Sequence, residues 1–348
     1  MIRFPLIVGI VFIHSYGYQA SFSNGVHGIK QINQIGLFLQ ILFSQVLGRI
    51  SLPLFYLISG YLFFQSFDGS KRAYLSKIKK RVSTLLVPFL FWNILLLTVI
   101  ILLQNISFTE TFFNSGKKPI LSYRAIEYVC AIFGIGRSPI SYQFWFIRDL
   151  ILLMLFSPVI FILARHLPKL SFFLLFLLWF FNINSIIDNE AIFFFYSGCA
   201  ICTNGISTTR VDNYHWKLTI TFLPCALFDT YNIMSHSMIP PTDSFFHKIV
   251  ILLGILWIWS LTSEFIETWT SKRLQSISYI SFFVFAFHEP LVTVLKKLSI
   301  MIFKPQETVI ITFIYFLVPI SATIISICVG VLLRRMAPSL YRTATGNR

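Results

Sequence analysis

The eleven residues from Ser171 to Phe181 read SFFLLFLLWFF, with no charge among them. A run of this kind is not stable facing water. Its neighbours leave no soluble interior large enough to take it, because 56% of the 348 residues are hydrophobic and only 12% are charged. An ordinary soluble domain carries roughly 25% charged residues, and a fold of this size cannot hide so much apolar surface, whereas a bilayer accommodates it. The chain reads as a polytopic integral membrane protein of the all-α class.

About ten segments approach the roughly 20 residues needed to cross about 30 Å of hydrocarbon. They are 2–22, 36–65, 83–104, 143–164, 170–187, 190–204, 216–233, 246–263, 277–297 and 308–333, the sixth being short. The first lacks a small-x-small cleavage site before Ser23–Gly25 and is expected to be a retained helix. With the N-terminus inside, 17 loop Lys and Arg fall on the inner side against 9 outside, Lys248, Lys296 and Lys297 among the latter. This predicts that both termini are cytoplasmic. One membrane domain over 1–333, with the longest outer loop at 105–142, and a short basic cytoplasmic tail over 334–348 complete the expected organisation.

The net charge of +15 would suggest nucleic acid in a soluble chain, but here the basic residues lie between apolar segments and set orientation, so no nucleic-acid partner is expected. The five Cys suggest no disulfide framework. Cys199 and Cys202 have C-x-x-C spacing without a second pair, which fits helix packing better than zinc, and no metal is expected.

An ionisable side chain at membrane depth is costly and marks a candidate site. Arg3 and His14 are eleven residues apart, three helical turns plus roughly 20°, so they share a face about 16 Å apart along the axis. That suits a ligand with an anionic head held by Arg3 and a long arm reaching chemistry at His14; a topology-setting Arg and a His bonded within its helix fit equally. In Gln143–Asp149 (QFWFIRD), Trp145 and Asp149 share a face while Arg148 points elsewhere. The alternative places Trp145 in the interfacial aromatic belt with Arg148 snorkelling outward. In Phe287–Pro290 (FHEP), Pro290 cannot donate to the carbonyl of Ala286, which opens the helix beside His288 and Glu289. Lys77, Lys80 and Arg81 form one basic face able to meet phosphates, although the positive-inside tendency alone also produces such a cluster. Arg49, one turn after Gln45, is a lesser polar pair. His27, His166, His215, His236 and His247 are given no role.

These phrases together resemble acyltransferase family 3, integral membrane O-acyltransferases that acetylate bacterial surface polysaccharides, peptidoglycan and other glycans. Arg3-x10-His14 is similar to the family's first-helix signature, and Pro53–Leu62 (PLFYLISGYL) to its second-helix phrase. Lys79–Pro88 (KKRVSTLLVP) looks like its basic run into a proline-containing third helix, while Phe144–Leu150 (FWFIRDL) and Phe285–Pro290 (FAFHEP) resemble one branch of the family. The phrases occur in family order over 3–290. The Trp-Ser-x-x-x-Glu phrase of another branch is replaced by Trp145 to Asp149. No hydrolase-like C-terminal domain follows the tail, so the membrane domain is expected to complete the transfer alone or with a partner; few residues precede Arg3.

The resemblance implies acetyl-CoA as acyl donor, its phosphates near Arg3 and the Arg81 cluster and its pantetheine arm along the first helix toward His14. His14 would act as general base or transient acyl acceptor, with Asp149 or Glu289 orienting an imidazole. The acceptor would be a glycan or lipid-linked sugar, and the location the bacterial inner membrane. Two other classes stay open: a transporter or flippase of glycan intermediates, which calls for inverted repeats, and a membrane glycan polymerase, which has no need of an Arg-x10-His helix.

Overall fold

The computed structural model describes residues 2–22, 25–106, 118–183, 185–235, 244–264 and 277–347, without the side chains of Arg210, Ser263 and Glu264. Lys117, Lys272, Arg273 and Arg348, used above for orientation, and His236 lie outside the described residues, as does the side chain of Arg210.

The chain is an all-α, multi-pass membrane protein. Among the described residues the helices are α1 (Arg3–Ser15), α2 (Gln34–Phe64), α3 (Lys71–Gln104), α4 (Ala125–Phe133), α5 (Tyr142–Leu155), α6 (Ser157–His166), α7 (Pro168–Phe180), α8 (Asn189–Thr203), α9 (His215–Ser235), α10 (Phe245–Glu264), α11 (Ser281–Phe303), α12 (Thr308–Met336) and α13 (Pro338–Thr345). Strands β1 (Gln19–Phe22) and β2 (Gly25–Gly28) pair antiparallel with Gln19 opposite Gly28. Among the described residues α2, α3, α10, α11 and α12 are each long and apolar enough to cross a membrane. The α5–α6 pair makes a sixth if counted as one span, bent by 64°. The bend falls before Pro158, which cannot donate a helical hydrogen bond.

Several expected boundaries move. The first segment stops as a helix at Ser15, not near Phe22, because Gly17 adopts φ 100° and Gln19–Phe22 enter the hairpin. The third begins earlier, since the basic run from Lys71 is continuous with the apolar part of α3. The fifth ends at Phe180, where Lys248 closes the last carbonyls and Asn182 turns left-handed at φ 51°. Lys248 is therefore no loop cation: it is 3% exposed, within α10. Lys296 likewise belongs to α11.

The chain groups into two units. The first comprises 1–13, 41–81 and 149–281. Here α2 and α8 approach so closely that a Cβ on Gly60 would strike the carbonyl of Phe195 and one on Gly198 the carbonyl of Leu57. Small residues let membrane helices pack backbone to backbone, which gives PLFYLISGYL its structural purpose. Phe64 stacks on Phe161 beside this seam, and Phe222 stacks on Trp257 between α9 and α10.

The second unit comprises 14–40, 82–148 and 282–348. The segment expected as a tail is built into it: α13 buries Tyr341, Ala344 and Thr345, the indole of Trp92 on α3 donates to Ala344 O at 2.9 Å, and Tyr341 stacks on Phe283. Asn93 on α3 accepts from Ser141 N at 3.0 Å, which fixes the chain just before Tyr142.

Candidate active site

In the second unit, the break in α11 decides where the functional groups go. Glu289 leaves helical geometry at φ −109°, ψ 128°, beside Pro290. Pro290 has no N–H to give Ala286 O, and a buried carbonyl left without a donor costs about 1–3 kcal/mol. The side chain of Gln143 answers this: its Nε2 donates to Ala286 O at 3.0 Å and Glu289 O at 2.9 Å, buried from water. The neighbouring residue Tyr142 is thereby set against the carboxyl of Glu289.

The Tyr142 hydroxyl donates to Glu289 Oε1 at 3.0 Å and lies 2.8 Å from His14 Nδ1. Thr293, one turn on, donates to Glu289 Oε2 at 2.9 Å. A phenol has one hydrogen, so with it directed to the carboxylate the oxygen accepts from His14 Nδ1–H. That arrangement puts the imidazole proton on Nδ1 and the basic lone pair on Nε2.

His14 is half-buried in the last turn of α1. Lys296 donates to Tyr16 O at 2.9 Å just beyond that turn, and Gly17 N donates to Gln40 Oε1 at 3.1 Å. A cation suits a helix C-terminus, and both contacts hold the imidazole in place. The His288 ring is 5.1 Å from that of His14, fully buried, with Nδ1 bonded to Phe285 O at 2.6 Å. His288 thus packs behind His14, tied to its own helix.

Of the remaining expected site residues, Arg148 donates to Gly134 O at 2.8 Å and so ties down the loop after α4. Trp145 is half-buried in the first turns of α5. Asp149, 1% exposed, belongs to the first unit, where its Oδ2 accepts from Asp188 N at 3.4 Å. Among the contacts described, it is Glu289 that reaches His14, through Tyr142.

The basic face lies in the first unit. Lys77 donates to Gln65 O at 2.8 Å, and both Lys77 and Arg81 sit over the ring of Phe63, at 5.7 and 5.9 Å. Arg3 is close enough for its charge to act on Arg81. Lys80 on the same helix is exposed. Arg49 lines a polar cavity in this unit that shares no residue with the His14 cluster.

Sequence reasoning did not find Tyr142, Gln143 or Thr293 as parts of the cluster. Tyr142 immediately precedes the QFWFIRD phrase and reads as one more interfacial aromatic. The orphaned Ala286 carbonyl was the one signal that a donor such as Gln143 was needed. His247, given no role above, pairs with Asp229 at 2.7 Å in full burial.

A family model described as an acyltransferase domain matches residues 1–335. The succinoglycan biosynthesis protein ExoH of Rhizobium meliloti (strain 1021) is 26% identical over 357 aligned residues, spanning all of this chain and 91% of that protein. No solved structure matches the chain.

Proposed function

Because the chain belongs to the acyltransferase domain family, whose model spans residues 1–335, we propose that it moves an acetyl group from acetyl-CoA to a sugar hydroxyl of a surface polysaccharide or its lipid-linked precursor. The observation that carries this reading is the hydrogen-bonded line from His14 through Tyr142 to Glu289. The similarity to ExoH, whose name places that protein in succinoglycan biosynthesis, supports a glycan as acceptor.

The chemistry follows from the tautomer. The sugar hydroxyl gives its proton to His14 Nε2 as its oxygen bonds to the thioester carbonyl carbon, and the C–S bond then breaks. The imidazolium formed is stabilised through Tyr142 by Glu289 and returns the proton to the departing thiolate of coenzyme A. General base catalysis by a positioned imidazole contributes about 10²–10⁴-fold. Gln143 and Lys296 position this machinery without taking part in proton transfer.

The proposed topology has about ten membrane segments, both termini cytoplasmic, in the inner membrane of a bacterium. Arg3 then begins α1 at the cytoplasmic face and His14 ends it about 16 Å away along the axis, by a rise of 1.5 Å per residue. Arg3, Lys77 and Arg81 would take the nucleotide phosphates of the donor, with Lys80 as an outlying charge.

The test is growth with labelled acetate in cells carrying the wild-type chain or its His14→Ala variant, followed by recovery of surface glycan. Alkali-labile label that depends on the wild-type chain is expected. Equal labelling with and without the chain would refute the reading.

A further inference from the structure

The first unit holds a cavity of about 120 Å³, lined by Arg49, Lys248, Asp188 and Glu190 together with Asn182 and His247. Since roughly 10–15 Å³ of such space admits one water, it admits a group of about ten heavy atoms, the size of one sugar ring.

Its walls differ in how committed they are. Lys248 Nζ places hydrogen bonds on Trp179 O, Phe180 O and Asn182 Oδ1, at 2.9, 2.8 and 2.7 Å, so its charge closes the end of α7. His247 Nδ1 is taken by Asp229 Oδ2. Arg49 is different. It stands on a 3-10 turn, Gly48–Ile50, directly after a π-helical stretch, Ile41–Leu47, and its Nε is buried with no acceptor. Such departures from α geometry inside a helix concentrate at functional positions. Its place in the cavity lining lets the Arg49 guanidinium, with five N–H donors, donate to a ligand there.

The charges decide the ligand class. Two basic side chains, Arg49 and Lys248, and two acidic ones, Asp188 and Glu190, share the lining; Asp188 Oδ1 also accepts from Ala191 N, and His247 pairs with Asp229. A phosphate or carboxylate drawn to Arg49 would lie against Asp188 and Glu190, and a metal cation would meet the reverse opposition. A neutral polyol suits both signs, because every hydroxyl accepts one hydrogen bond and donates another.

We infer that this cavity binds one uncharged sugar ring of a glycan, with Arg49 as donor to and Glu190 as acceptor from its hydroxyls. The inference rests on the function proposed above for its choice of polyol. In the topology given there, the turn between α7 and α8, which carries Asn182 and Asp188, faces outward, where surface glycan lies.

The test is ligand-observed saturation-transfer NMR on purified protein in nanodiscs, with methyl glucopyranoside and methyl galactopyranoside as probes. Glucuronate and inorganic phosphate serve as charged competitors. At least one glycoside is expected to bind the wild type at millimolar concentration. Its Kd should rise about tenfold or more, some 1.4 kcal/mol, in Glu190→Gln and in Arg49→Lys, each checked for wild-type melting temperature, with one variant sufficing if the other does not fold. His14→Ala should bind like the wild type. Unchanged affinity in the folded variants overturns the inference. So does failure of both glycosides to bind at about 100 mM, roughly a hundred times a millimolar Kd, or stronger binding of glucuronate or phosphate. Glycoside binding in a protein that transfers no acetyl would refute the acetyl-transfer reading while leaving the sugar site standing.

Discussion

Two sets of buried ionisable side chains in this molecule have opposite designs. In the first unit, Asp229 and His247 close on each other at 2.7 Å, and Lys248 spends its hydrogen bonds at the end of α7. In the second, Glu289 bonds to Thr293 on one side and on the other to Tyr142, which meets His14. The first arrangement ends inside the protein; the second ends at a half-buried imidazole. Burial of charge alone therefore does not mark catalysis. What sets the second arrangement apart is a line of hydrogen bonds that fixes the tautomer of a half-buried imidazole, the feature on which the proposed base rests.

Substitutions in the two sets should fail in different ways. The largest effect on turnover after loss of His14 itself is expected from Tyr142→Phe, about 10²-fold in kcat with KM for acetyl-CoA unchanged, read as coenzyme A release. The double variant with Glu289→Gln should lose no more than the worse single, because both act on one line of contacts. Additive losses would separate Tyr142 from Glu289. Asp229→Ala should do the reverse: it strands His247 in a buried site and costs about 3–5 kcal/mol of stability, seen in denaturant unfolding, with kcat per folded molecule retained.

Gln143→Leu is expected to show both symptoms. Two buried carbonyls lose their donor at about 1–3 kcal/mol, and kcat falls because Glu289 is no longer held; a stable variant with full kcat would break the link between the α11 break and the imidazole. The smallest effect belongs to Lys118→Ala. Its ion pair with Glu127 is 2.8 Å long but exposed, and such pairs contribute little. Lys118 holds the Glu127 carboxyl below its ordinary pKa, so whatever it contributes is present at neutral pH and fades as pH falls through that lowered pKa. Melting curves of wild type and variant at neutral and acid pH should nearly coincide.

The contrast also separates what the sequence made legible from what it did not. Membrane class and helical fold follow from apolar runs such as 171–181, and His14, His288 and Glu289 stood out because charges at membrane depth are few. Glu289 and His14 reach each other through Tyr142, and that step was invisible: a tyrosine near a span end looks like an interfacial anchor until its partner is known. Helix ends were misplaced where one residue overrode hydropathy, as Gly17 does for α1 and Lys248 for α7. The His247–Asp229 pair joins residues eighteen apart on two helices, with no local pattern to announce it. PLFYLISGYL was readable as a phrase, but its reason, the backbone contact of Gly60 and Leu57 with α8, required the partner helix.

On the proposed mechanism His14 is the base of an acyl transfer. The most direct test of that role is acetyl-CoA binding to purified wild type and His14→Ala, paired with coenzyme A release in the presence of a cell-envelope extract. Equal binding by both proteins is expected, with release falling by about 10²–10⁴-fold in the variant. Wild-type rates of release from a folded His14→Ala protein, or no acetyl-CoA binding by folded wild type, would contradict it.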